Sequence, residues 1–345
     1  METKTQRKLK IKKPPVLFSK TQRIIRAIAA ETGGTFLSYW NSPGGNVCQN
    51  DVQGLYEVLQ RIGPQKNLHI FLKSRGGDGT ASLRIVNLLR RYTARLIAQL
   101  PLECASAATM IALGANEIQM GPLAFLTAVD TSLTHDLSPV DLHNRLVSVS
   151  QDELNRVVNL WRKESHASKK PVSADAPANP YAALFQHVHP LVIGAVDRAS
   201  SLSVKLCTEI LSFHLEDLKR AEEISWHLNS AYPAHDYPIL QKEAKRIGLN
   251  VADLDPRLND MLLDLHELYS EMGQEALTDY DEQNYHNNEI VNIIESVGIQ
   301  VYYQIDKDWH YRAEERRWVP MNDNSSWRKI EKVGSKIARS IFHIR

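Results

Sequence analysis

The chain has 345 residues, 43% hydrophobic and 23% charged, enough for one large domain or two around a sizeable core. Its 41 Lys and Arg against 40 Asp and Glu give a formal net charge of +1, so the overall balance excludes the basic footprint of a nucleic-acid binder. No apolar run approaches the roughly 20 residues that span a bilayer, and three cysteines without a CxxC spacing fit a reducing, cytoplasmic compartment better than a disulfide framework.

Residues 1–19 read as a basic tail. Lys4, Arg7, Lys8, Lys10, Lys12 and Lys13 face the single acid Glu2, without the apolar core of a signal peptide. Such a tail is either solvated or docks an acidic partner. From Thr35 to Met120 short β-branched or aromatic runs alternate with amphipathic stretches. Thr35–Trp40, Leu68–Leu72, Arg95–Leu100 and Glu117–Met120 read as strands, and Asp51–Arg61, Thr80–Tyr92 and Ala107–Ala115 as helices. That alternation predicts a parallel sheet with crossover helices. Lys163–Pro180 is polar with three prolines, Pro171, Pro177 and Pro180, and reads as a mobile loop. Beyond it Pro190–His214, Leu215–His227, Ile239–Arg246 and Asp260–Met272 read as helices. The tail from Ile290 is strand-like at Ile299–Gln304 and Arg317–Met321, predicting a small β-containing addition over 276–345 to a main domain over 20–275. No internal repeat is evident.

Two strand-to-helix junctions carry the chemistry. Lys73-Ser74-Arg75-Gly76-Gly77-Asp78-Gly79 follows one strand, and Cys104-Ala105-Ser106-Ala107-Ala108-Thr109 follows the next. Paired glycines permit positive φ and let a backbone amide approach a ligand. A serine at a helix entrance is most often a cap, but it also lies beside amides and a positive helix end that favour a developing oxyanion. Together these predict Ser106 as a nucleophile with the Gly77 and Ala107 amides as oxyanion donors and Gly76 supporting them. The other glycine pair, in Ser42-Pro43-Gly44-Gly45, is followed by a delayed helix and reads as a structural turn.

The runs Phe71-Leu72-Lys73-Ser74-Arg75-Gly76-Gly77-Asp78 and Ala105 to Met120, with Ala234-His235-Asp236-Tyr237-Pro238-Ile239 and Glu243 to Val251, resemble the serine dehydrogenase proteinase family. That family is a branch of the Clp/crotonase-fold serine peptidases related to the signal-peptide peptidase SppA, and the resemblance covers roughly residues 20–270. It implies an α/β fold of repeated ββα units with a parallel sheet, a homo-oligomer, and a peptide or protein substrate. By position, Ser106 matches the nucleophile, and Gly77 with Ala107 the oxyanion amides. Where the family commonly has a Gly/Ser-Pro-Ile-Asp-Pro turn, this chain reads Leu126-Thr127-Ala128-Val129-Asp130; Asp130 is kept and both prolines are absent.

Three residues compete as general base. His235 has the motif support, and Asp130 would orient its imidazole. His135 lies in a polar stretch and reads as a surface residue, while Lys205 would need burial to lower its pKa. Tyr237 is a further oxyanion donor candidate beside a packing role. His187-Val188-His189 lacks a third ligand, so no metal is predicted, and Cys104 reads as a buried structural thiol. The chemistry requires no cofactor. With no P-loop, any unfolding of substrate would fall to a separate ATPase. Two rival readings are an inactive Clp-fold scaffold or sensor, and a crotonase-type enzyme binding an acyl-coenzyme A thioester.

Overall fold

A computed structural model describes residues 10–142, 144–167, 181 and 184–342. Residues 1–9 of the basic tail and 168–180 of the polar segment lie outside the described residues. Strands β1 (Thr35–Asn41), β2 (Gln65–Lys73), β3 (Thr93–Leu100), β5 (Glu117–Met120) and β9 (Val251–Asp253) pair in parallel in that order, while the short strands β4 (Glu103–Cys104) with β6 (Phe125–Leu126) and β7 (Ser132–Leu133) with β8 (Val149–Ser150) pair separately. Helices α2 (Gln49–Ile62) and α3 (Gly79–Tyr92) make the crossovers that parallel pairing demands. Side chains alternate along β1: Leu37 and Tyr39 enter the core under α2, α3 and the short α4 (Ala107–Leu113). Phe36 and Trp40 enter the opposite core under α1 (Phe18–Thr32) and α9 (Pro256–Met272). The chain is thus mixed α/β around a central sheet, with its parallel half as the resemblance implies.

The C-terminal strands are more than an addition. β11 (Asn284–Ser296) pairs antiparallel with β1, and β12 (Ile299–Arg312), β14 (Ser326–Val333) and β15 (Lys336–Phe342) follow outward. With β10 (Ala276–Asp279) and β13 (Arg317–Asp323) they complete one 11-stranded sheet. Ile294, Val301 and Trp327 lie in the main core. Glu295 of β11 is fully buried and accepts from Thr21 Oγ1 (2.7 Å), Gln22 Nε2 (2.8 Å), Tyr269 OH (2.9 Å) and Gln300 Nε2 (2.6 Å). Burial pushes its carboxyl up to about 7, and this one group ties α1, α9 and β12 to the seam.

Helix starts follow their caps. α9 begins at Pro256, earlier than the apolar pattern predicts, because the Asp255 carboxylate accepts from Leu258 N (3.0 Å) and proline suits the first turn. α7 (Leu218–Ser230) likewise waits for Asp217, which accepts from Arg220 N (3.0 Å). Helix α5 (Gln151–Ala167) runs into the polar segment, so 163–167 are helical rather than loop. Among the described residues no helix is long and apolar enough to cross a membrane.

Candidate active site

The two junctions lie side by side at the carboxyl ends of β2 and β3, where ligands bind in open parallel sheets. Ser74 and Cys104 form a parallel bridge, with Ser74 N donating to Glu103 O (3.3 Å) and Ala105 N to Ser74 O (3.0 Å). On the other flank Val47 N donates to Gly76 O and Asp78 N to Val47 O, both at 2.8 Å. Those bonds use the amides around Gly77 and leave its own N–H without a partner among the described residues. The N–H of Ala107, the first residue of α4, is equally unclaimed.

Ser106 stands at φ 53°, ψ −118°, a conformation that side-chain-bearing residues rarely adopt. Strain of this kind costs about 1–3 kcal/mol and persists only where the surroundings hold it. Here threonines and a serine do so. Ser106 N donates to Thr127 Oγ1 (2.8 Å), Thr127 N to Thr109 Oγ1 (3.2 Å), and Thr109 Oγ1 to Cys104 O (2.8 Å). Ser82 Oγ donates to Ala107 O (2.7 Å). Gly76, at φ 105°, completes the seat: a Cβ there would lie 2.7 Å from Ser106 Cβ and 3.0 Å from Ala107 N. The result is a sharp, strained strand-to-helix turn with Ser106 at its tip, a geometry that suits a nucleophile.

Asp130 and His235 meet through the backbone. Leu126 and Ile239 form an antiparallel bridge, Leu126 N donating to Ile239 O (3.0 Å) and Ile239 N to Leu126 O (2.8 Å). Beyond this single bridge a turn, with Tyr237 N donating to Ala234 O (3.1 Å), carries the chain back to His235 beside Asp130. Their side chains join, Nδ1 to Oδ1 at 2.8 Å. The segment lacking both prolines is fixed in other ways: Val129 N donates to Leu228 O (3.1 Å), and Ser203 Oγ donates to Val129 O. The hydrogen bond to Asp130 raises the His235 pKa above 6.5, outweighing the opposing effect of burial.

Ser106, Ala107, Gly77, Asp130 and His235 share one crevice of about 320 Å³, with Met110, Leu202 and Leu206 as apolar wall. Ser106 Oγ has no hydrogen-bond partner among the described residues. The other candidates fall elsewhere. Lys205, on α6 (Pro190–Leu211), is exposed, while its neighbours Ser203 and Leu206 line the crevice, so the apolar flank does not bury it. His135 is held in its own turn, Nδ1 accepting from Leu137 N (3.0 Å). Tyr237 stacks on Tyr232 at 5.1 Å. His189 caps α6 by accepting from Leu191 N (3.2 Å), and Gly45 N donates to Ser42 O (3.0 Å) in a plain turn. Burial pushes the Cys104 thiol up, away from thiolate. Sequence alone marks Thr127, Thr109 and Ser82 only by their polarity inside apolar, small-residue segments.

With His235 as the candidate base, Asp130→Asn should move the acid limb of a pH–rate profile to lower pH, since a base acts in its neutral form and the mutation removes what raises His235. The rate should also fall by about 10²- to 10⁴-fold. An unmoved limb would separate His235 from the observed titration.

No protein-family model matches the chain, and no curated protein matches its sequence. The solved structures similar to it include the following three. Two are mutants of the 1510-N membrane-bound stomatin-specific protease. One is 14% identical, covering 67% of this chain and 83% of that one with a TM-score of 0.37. The other, in complex with a substrate peptide, is 15% identical, covering 67% and 78% with a TM-score of 0.36. The third, ClpP1 from Listeria monocytogenes, is 12% identical, covering 70% and 99% with a TM-score of 0.35. At these values the functional reading rests on the crevice itself.

Proposed function

We propose that the protein is a serine peptidase of the Clp/crotonase class, akin to the serine dehydrogenase proteinases. One coincidence carries the reading: a strained serine, two unpartnered amides and a His–Asp pair line a single crevice. As Ser106 Oγ attacks the scissile carbonyl, its proton passes to His235 Nε2, while Asp130 accepts from Nδ1–H and steadies the imidazolium. The carbonyl π pair moves onto oxygen, which accepts from the Gly77 and Ala107 N–H groups. The C–N bond then breaks, the amine takes the proton from His235, and water releases the acyl group by the reverse steps. The substrate is a peptide or unfolded protein, the working form a homo-oligomer in the cytoplasm, and any unfolding is supplied by a separate ATPase.

A second reading is an inactive scaffold, favoured by the absence of a hydrogen bond between Ser106 Oγ and His235. Fluorophosphonate labelling with peptide mapping separates the two. The expected result is a single adduct on Ser106, absent from Ser106→Ala; folded protein that stays unlabelled would sink the peptidase reading.

A further inference from the structure

Behind the two turns, on the α9 side of the sheet, lies a cavity of about 580 Å³, larger than the crevice itself and within the range of small-molecule sites. Leu102, Leu123, Phe125 and Trp40 give it apolar walls. Its polar end is Lys73, the residue before the Ser74 bridge, whose side chain is only 6% exposed. The ammonium donates to Asn41 O (3.0 Å), pairs with Glu103 Oε1 (3.1 Å) and lies 5.2 Å over the Trp40 ring. Arg75, 62% exposed, reaches the same Glu103 oxygen at 3.5 Å. The remaining titratable group facing the cavity, His266, accepts from Trp40 Nε1 at Nδ1 (3.0 Å), and burial pulls it down to about 4, so it is neutral near pH 7. Two cations therefore share one carboxylate at the cavity's edge.

We propose that this cavity binds an apolar-tailed carboxylate, whose head group takes Lys73 while Glu103 transfers to Arg75. Charge pairing selects the head group. A buried ammonium stripped of its anion is strongly destabilised, so a cationic ligand competing for Glu103 would strand Lys73. An incoming carboxylate leaves every charge paired, ligand with Lys73 and Glu103 with Arg75. Trp40, Leu102, Leu123 and Phe125 hold the tail.

Titration calorimetry on the full chain tests the site without any chemistry at Ser106, so the outcome is independent of the peptidase reading. The probes are octanoate against 1-octanol, and a leucine-terminated tripeptide with a free against an amidated C-terminus. The acid form of at least one pair should bind about tenfold or more tighter than its neutral partner; which pair does so distinguishes a fatty acid from a peptide terminus. Glu103→Gln, which deprives Lys73 of its internal anion, should tighten acid binding about tenfold, and Lys73→Met should abolish the acid preference. Leu123→Trp, at a mouth residue 60% exposed, should weaken binding with the fold intact, which covers a Lys73→Met protein that does not fold. No binding by either acid, equal affinity of acid and neutral forms, or indifference to both the Lys73 and Leu123 substitutions would overturn the site.

Discussion

Peptide hydrolysis by His235→Ala should fall by about 10⁴-fold or more in kcat, with KM little changed, because the variant loses the proposed base that takes the Ser106 proton and returns it. The residue lies in a surface turn with its side chain 52% exposed, so removing it leaves the core intact and the loss is chemical rather than structural. Added imidazole should restore part of the rate by entering the vacated space. His135→Ala and Lys205→Ala serve as controls, since neither residue lines the crevice. Full activity in His235→Ala would return the role of base to some other group, and loss of activity in Lys205→Ala would do the same.

Gly76→Ala should reduce turnover by about 10²- to 10³-fold, the size of effect seen when an oxyanion donor is misplaced. The added methyl would sit 2.7 Å from Ser106 Cβ, 2.9 Å from Ala105 O and 3.0 Å from Ala107 N, and φ 105° is itself hostile to a Cβ. Nothing at this spot is the far end of a flexible side chain. Either the Gly76–Gly77 turn retreats or the serine does, and both moves open the oxyanion site. Stability should drop by about 1–3 kcal/mol as well. Gly63→Ala is the matched control: φ 69° with ψ −177° carries comparable backbone strain, but nothing lies within 4 Å of an added Cβ, so melting temperature should fall with kcat unchanged. Equal kcat for Gly76→Ala and the wild type would show that the turn does not set the geometry of the site.

Much of this site was legible in sequence because its parts are local. Gly76-Gly77 and Ser106-Ala107 each sit between a strand pattern and a helix pattern, and parallel pairing of consecutive strands necessarily brings such junctions to the same edge. His235 and Asp130 were legible only through motif resemblance, since their segments meet through one isolated bridge and a side-chain pair between positions far apart in the chain. The supports were not legible. Thr127 and Thr109 matter through hydrogen bonds to backbone atoms, and nothing in spacing tells which hydroxyl will find which amide.

Local signals suffice for the parallel half of the sheet, the glycine turns and the placement of a serine at a helix entrance, because period, turn chemistry and helix caps act over a few residues. Long-range packing is what makes the C-terminal strands continue the sheet through β11 and β1, leaves Lys205 facing solvent and buries Lys73 against Glu103. Those outcomes depend on which apolar faces meet and which charges lose water, and both are set by packing between segments far apart in the chain.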